Sequence, residues 1–181
     1  MSNNVIGISC FFHDAACCLL KDGEFVAAVE AERFSSNKHD AGIPKRAFNY
    51  CLEEGGLTIA EIDCVAYYEE LAQPLALLDP GRPEREIREV LGYDGRIEYV
   101  GHHEAHAAST FYCSGFKEAV ILTVDEVGEW DNTSFGCGRG DELEILETVG
   151  GALGAAAVGH KRLTNGKMES LSTFRDAFAY F

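Results

Sequence analysis

Residues 5–12 alternate apolar and polar positions about Gly7, and the apolar runs 15–20 and 25–31 follow. A period of two marks strands. Lys21-Asp22-Gly23 between the second and third runs is a hairpin signal, because Asp-Gly accepts positive φ. A three-stranded meander is therefore expected at the start. From 44 to 54 the apolar positions are Ala47, Tyr50, Cys51 and Leu52, with Pro44 at the start and Gly55-Gly56 behind, which predicts a helix. The run 62–68 is short, apolar and bounded by polar residues, as a buried strand would be. A helix over 83–91 and a strand over 97–100 come next, then an Ala-rich helix over 102–111.

The run 119–124 is continuously apolar and β-type, which predicts a central strand buried on both faces. Residues 133–138 and 142–149 read as a hairpin joined through Arg139-Gly140-Asp141. Strands first, then helices alternating with strands, predict a mixed α/β layered protein. After Val149 the character changes. Residues 150–181 open with Gly and Ala and show no clear period, so a tail or a helical appendage is expected there.

The chain has 181 residues, which bounds it at one domain or two small ones, and its 46% hydrophobic content leaves room for a real core. No apolar run approaches the ~18 residues of a membrane span. No basic flank precedes the first apolar run, and Asp14 interrupts it, so no signal peptide is expected and a cytoplasmic location is. Seven cysteines is an odd number and none forms a C-x-x-C pair, which favours buried free thiols in a reducing compartment. The net charge of −15 argues against a nucleic-acid partner, whose phosphates need Lys and Arg. Small anions remain compatible if a metal or helix N-termini supply the positive field.

Three of the six histidines fall within Gly101-His102-His103-Glu104-Ala105-His106-Ala107-Ala108-Ser109. On a helix, His102 and His106 are i,i+4 neighbours about 5–6 Å apart at Cβ, near enough to chelate one ion. His103 and His106, at i,i+3, are the other candidate pair. Without a metal the segment is a polar helix start. Asp125 closes the run Val120-Ile121-Leu122-Thr123-Val124, where α/β sheets place ligand-binding groups. Alone it reads as a turn cap. With two histidines it makes an open N/O set suited to Fe(II), Mn(II) or Zn(II). Phe12-His13-Asp14-Ala15-Ala16 pairs a histidine with a carboxylate in a tight loop, where it can present a general base or simply form a turn. His39 follows Lys38 in a polar loop.

In chain order, Gly7-Ile8-Ser9, Phe12-His13-Asp14-Ala15-Ala16, Glu32-Arg33-Phe34, Lys38-His39, His102-His103-x-x-His106-Ala107-Ala108-Ser109 and Thr123-Val124-Asp125-x-Val127-Gly128-Glu129-Trp130 make an ordered set. Over residues 4–149 it resembles the NodU/CmcH family of O-carbamoyltransferases. The resemblance implies the N-terminal portion of an actin-like ATPase (ASKHA, Kae1/TsaD-like) fold. Residues 1–116 would form a first subdomain including the histidine helix, 117–149 the start of a second, and 150–181 a divergent, truncated tail. It implies ATP and carbamoyl phosphate as substrates, converted to carbamoyl-adenylate by a C-terminal YrdC-like domain. The Kae1-like domain would then pass the carbamoyl group to the hydroxyl of a small-molecule or saccharide acceptor.

The resemblance further implies a divalent metal, typically Fe(II), held by His102, His106 and Asp125. It implies a catalytic His13 and places His39 in a family motif beside the site. Read from the residues themselves, a turn containing Gly128 would bring backbone N–H groups to a nucleotide phosphate, and His103 is the histidine left to support the chelating pair. Glu126 departs from the family's Gly, and its charge would oppose phosphate. Family members are longer, so the chain is expected to be a fragment, a truncated reading frame or one part of a split system. Its partner chain would carry the last acidic metal ligand and the YrdC-like domain, and the chain alone is not expected to complete both steps. The alternative is a non-catalytic or degenerate ASKHA-like module that docks to a partner chain. A two-His-one-carboxylate oxygenase ranks last, since the strand order shows no sign of a double-stranded β-helix.

Overall fold

The structure, a computed structural model, describes residues 3–11, 13–68, 79, 81–125, 131–150, 159–162 and 168–171. Its backbone contacts divide the chain into two units, Met1–Val100 and Gly101–Phe181.

The first unit opens with the expected meander: β1 (Asn4–Ser9), β2 (Ala16–Lys21) and β3 (Glu24–Glu30), successively antiparallel. The hairpin turn puts Asp22 and Gly23 at positive φ, a region that Asp tolerates and Gly, lacking a Cβ, enters freely. β1 is shorter than the alternation implies, because Phe11 at φ 75 turns the chain out of the sheet. A single helical turn, α1 (Glu32–Ser35), precedes α2 (Lys45–Gly55), which Gly56 ends in the left-handed conformation. β4 (Cys64–Tyr67) then pairs parallel with β1, and after α3 (Arg82–Leu91) β5 (Arg96–Tyr99) pairs parallel with β4. The sheet order is β3-β2-β1-β4-β5, a mixed sheet in which β1 is antiparallel to β2 and parallel to β4.

One core holds this unit. Ile6, Ile8, Cys17 and Leu19 from the sheet meet Ala47, Phe48 and Cys51 of α2, while Ile87 and Leu91 of α3, one turn apart, join the same cluster. Full burial of each large apolar side chain is worth roughly 1.5–3 kcal/mol. Gly7 lies where an added Cβ would meet the Cys18 sulfur at 2.8 Å, so a larger residue there would have to displace that side chain.

The second unit is α4 (His102–Ser114) packed on an antiparallel sheet of β6 (Glu118–Val124), β7 (Asp131–Arg139) and β8 (Glu142–Gly150), in the order β6-β7-β8. The apolar run of β6 leads sequence reasoning astray here. The strand pairs with β7 alone among the described residues, and one face is open: Val120 is 66% exposed and Val124 52%. Its outward positions are themselves apolar, which hides the period of two. Two short strands, β9 (Gly159–Arg162) and β10 (Met168–Leu171), pair antiparallel, so the described part of 159–171 is a strand pair rather than a helical appendage. The histidine helix falls in this unit, not with residues 1–100, because it packs on β6, β7 and β8.

Among the described residues, no helix is long and apolar enough to cross a membrane. All seven cysteines are free thiols; Cys10, Cys17, Cys51 and Cys64 are buried as expected, but Cys113 is exposed.

Candidate metal centre

Alternation along β6 puts Ile121, Thr123 and Asp125 on one face, and Ile121 and Thr123 are buried. On α4 the stripe His103, Ala107 and Phe111, at i, i+4 and i+8, is the buried face. Phe111, Ala107 and Ile121 form a small core. Gly138 on β7 makes it possible, since a Cβ there would meet the Phe111 ring at 2.6 Å.

Further along the same face the contacts turn polar. His103 Nε2 lies 2.8 Å from the Asp131 carbonyl, which only accepts, so Nε2 carries a proton. His103 Nδ1, 2.6 Å from Thr123 Oγ1, then accepts from the threonine hydroxyl, and Ser134 Oγ lies 2.7 Å from that same oxygen. Buried polar groups thus fix the first turn of α4 against two strands.

That anchoring aims the neighbouring positions. His102 begins the helix behind Gly101, whose carbonyl accepts from the Ala105 amide at 2.8 Å. Asp125 follows β6 directly, its amide bonded to the Asn132 carbonyl at 2.8 Å. His102 Nε2 stands 2.7 Å from Asp125 Oδ2; His106 Nε2 stands 3.2 Å from that oxygen and 3.1 Å from His102 Nε2. Three donor atoms from two elements converge on one point.

The donor set fits a divalent ion. Ligands at about 2.0–2.2 Å that cap one face of an octahedron stand about 3 Å from each other. The observed spacings of 2.7–3.2 Å match that triangle. Two ring nitrogens and a carboxylate oxygen this close need a shared proton or a shared cation between them. Burial, outweighing the hydrogen bond that the ring donates to Asp125 when charged, holds the His102 imidazole below its ordinary pKa, so it stays in the neutral form that ligates. The helix N-terminus acts in the same direction.

Of the two candidate pairs, the structure brings His102 and His106 to Asp125 and turns His103 onto Thr123. Gly128 and Glu126 lie outside the described residues. His13 and His39 belong to the first unit, where both meet Asp14: His13 Nδ1 lies 2.7 Å from Asp14 Oδ2 and His39 Nδ1 2.9 Å from Oδ1. These two bonds, His39's first, hold the Asp14 carboxyl below the usual carboxylate range. Sequence reasoning paired Asp14 with His13 but not with His39, and it missed Thr123. The period of two that places Thr123 beside Asp125 on one face was the available signal for the latter.

A family described as Carbamoyltransferase N-terminus matches residues 4–74 and 92–171, which extends well into the stretch expected to diverge. The chain is 36% identical over 156 residues to Nodulation protein NolNO of Sinorhizobium fredii, covering 76% of this chain and 23% of that protein. It is 34% identical over 172 residues to Uncharacterized protein sll1178 of Synechocystis, covering 77% and 28%. The chain thus spans about a quarter of the length of these relatives. Among solved structures, YeaZ from Pseudomonas aeruginosa aligns with TM-score 0.47 and 12% identity over 80% of this chain and 65% of that one. ROK hexokinase from Thermus thermophilus aligns with TM-score 0.44 and 16% identity over 90% and 54%.

Proposed function

The chain belongs to the carbamoyltransferase N-terminus family, and from that premise we propose that it is the N-terminal part of an enzyme that transfers a carbamoyl group to a hydroxyl acceptor. The donor in this reading is carbamoyl-adenylate, formed from carbamoyl phosphate and ATP by a domain outside these residues. The acceptor is a saccharide or another hydroxyl-bearing small molecule.

His102, His106 and Asp125 hold a divalent ion, Fe(II) before Mn(II) or Zn(II). Bound there, the ion would neutralise nucleotide phosphate charge that a chain of net charge −15 otherwise repels. His13 acts as general base, because an alcohol is a weak nucleophile at neutral pH. Its basic nitrogen takes the hydroxyl proton while the hydroxyl oxygen bonds to the carbamoyl carbon. The carbon–oxygen bond to the adenylate phosphate breaks, and AMP leaves with the electron pair. The cytoplasm, where these substrates are made, is the compartment in this reading.

The observation that carries the reading is the convergence of His102, His106 and Asp125 within 3.2 Å. The test is metal content after anaerobic loading with Fe(II), and separately with Mn(II) and Zn(II). One equivalent bound by the wild type and none by the His102→Ala, His106→Ala double variant is expected. Equal binding by both chains would overturn it.

A second reading, a docking module without metal, is favoured by the outward face of β6 to β8, where Val120, Val124 and Leu146 are 66%, 52% and 63% exposed. A wild-type chain that binds none of the three ions would favour it.

A further inference from the structure

The loops that follow β1 and α1 carry an arrangement that the metal centre does not explain. Phe11, Asp14 and His39 all lie at positive φ, 75°, 50° and 57°. That backbone region costs an ordinary residue free energy and persists only where surrounding contacts over-determine it. Here they do. The Phe11 amide donates to the Ala41 carbonyl and the Ala15 amide to the Asp40 carbonyl, each at 2.7 Å, which ties the two loops together. The Ala16 amide donates to Ser9 Oγ at 3.0 Å, and that hydroxyl donates in turn to the Asp14 carbonyl at 3.4 Å.

The product of this bracing is one carboxylate between two imidazoles. Asp14 Oδ2 faces His13 Nδ1 at 2.7 Å, and Asp14 Oδ1 faces His39 Nδ1 at 2.9 Å. An ionised carboxylate only accepts, so both Nδ1 atoms carry protons. In the neutral rings, the lone pair of each imidazole is then on Nε2. His39 is also tied through its backbone amide to Glu32 Oε2 at 3.4 Å. The cluster differs in kind from the metal triad: each imidazole takes its own carboxylate oxygen, and among the described residues only His102, His106 and Asp125 gather three ligand atoms at one point.

We infer that Asp14 is a positioning residue that bridges His13 and His39 and fixes both on the Nδ1–H tautomer, so that the first unit presents two basic Nε2 atoms toward a hydroxyl acceptor. The inference rests on the carbamoyl-transfer reading for the identity of the acceptor, and on the loop geometry alone for the tautomers. His39 thereby becomes a second candidate for receiving a hydroxyl proton. A simple turn role for Asp14 would need neither oxygen committed to a ring.

Imidazole nitrogen-15 spectra of the full chain, recorded above pH 8, test it. Wild-type protein is expected to show His13 and His39 with the proton on Nδ1. Asp14→Gly tolerates the positive φ and offers no acceptor, so both rings should move to the Nε2–H form that is ordinary in solution. Asp14→Asn also tolerates the conformation but has one acceptor oxygen, so one ring should keep the Nδ1 proton and the other lose it. Wild-type rings on the Nε2–H tautomer would overturn the inference without any variant. So would an Asp14→Gly spectrum that retains both Nδ1 protons. Either result leaves metal loading at His102 and His106 untouched, so this failure and failure of the broader reading can be told apart.

Discussion

His103 and Thr123 meet at 2.6 Å inside the protein, and this bond sets where the three candidate ligand atoms converge. It seats the first turn of α4 on β6, so that the histidines on either side of it in sequence, His102 and His106, reach the carboxylate two residues beyond Thr123.

Thr123→Val keeps the shape of the side chain and removes the hydroxyl. His103 Nδ1 and Ser134 Oγ then lose their shared partner in a buried site. The cost should be about 1–3 kcal/mol in unfolding free energy, read from urea melts of the metal-free chain. Metal affinity should fall by roughly 10–100-fold, as for other partners that orient a ligand-bearing element. A variant that loses stability but keeps full affinity would show that the bond holds the fold and not the centre.

Asp125→Asn keeps the side-chain volume and removes the charge. It should weaken metal binding further than Thr123→Val does, because a ligand itself is altered. In the metal-free chain the Asp125 hydrogen bond raises the His102 pKa against the larger effect of burial. Its loss should lower the His102 titration midpoint further, and proton NMR of the ring resolves this. A rise would contradict the geometry.

His102 also sets a pH dependence. Its folded pKa is below the ordinary 6.5, so the unfolded chain binds the proton more readily than the folded one. The stability that comes from keeping this ring neutral is fully present above 6.5 and is lost as pH falls through the folded value. Thermal melts of metal-free wild type should decline more steeply below pH 6.5 than those of His102→Gln. Parallel curves would remove His102 from the account.

Gly138→Ala drives a methyl into the Phe111 ring, which would lie 2.6 Å from it. Overpacking of this kind costs about 1–3 kcal/mol. Phe111→Leu frees space at the same spot, so the double variant should be more stable than the sum of the two losses allows. Additive losses in denaturant melts would mean that the two residues do not share the site.

Thiol labelling checks burial directly. Cys113 is exposed, whereas Cys10, Cys17, Cys51 and Cys64 are buried. Under native conditions Ellman's reagent should modify Cys113 first, and Cys113→Ser should remove the fast phase. The four buried thiols should react only on unfolding.

The sequence alone determined most elements of both units, α1, β9 and β10 excepted. Period-two runs, the Asp-Gly turn, Pro44 before α2 and the glycines behind the helices are local signals, and β1 to β8 and α2 to α4 lie within a few residues of where they point. The i,i+4 spacing of His102 and His106 is equally local, so a chelating pair was legible before any fold was known. Which histidine joins which partner was not legible from spacing; the set His102, His106 and Asp125 came only as what the family resemblance implied, and the meeting of His39 with Asp14 was not foreseen. His102 and Asp125 are 23 positions apart, and His39 and Asp14 are 25 apart. Such meetings depend on how α4 seats against β6 and on how two braced loops close, and no short window of sequence carries that information. The same holds for β6, whose apolar run fits a central strand as well as an outer one. Only the pairing of whole strands, a long-range event, left Val120 and Val124 facing outward.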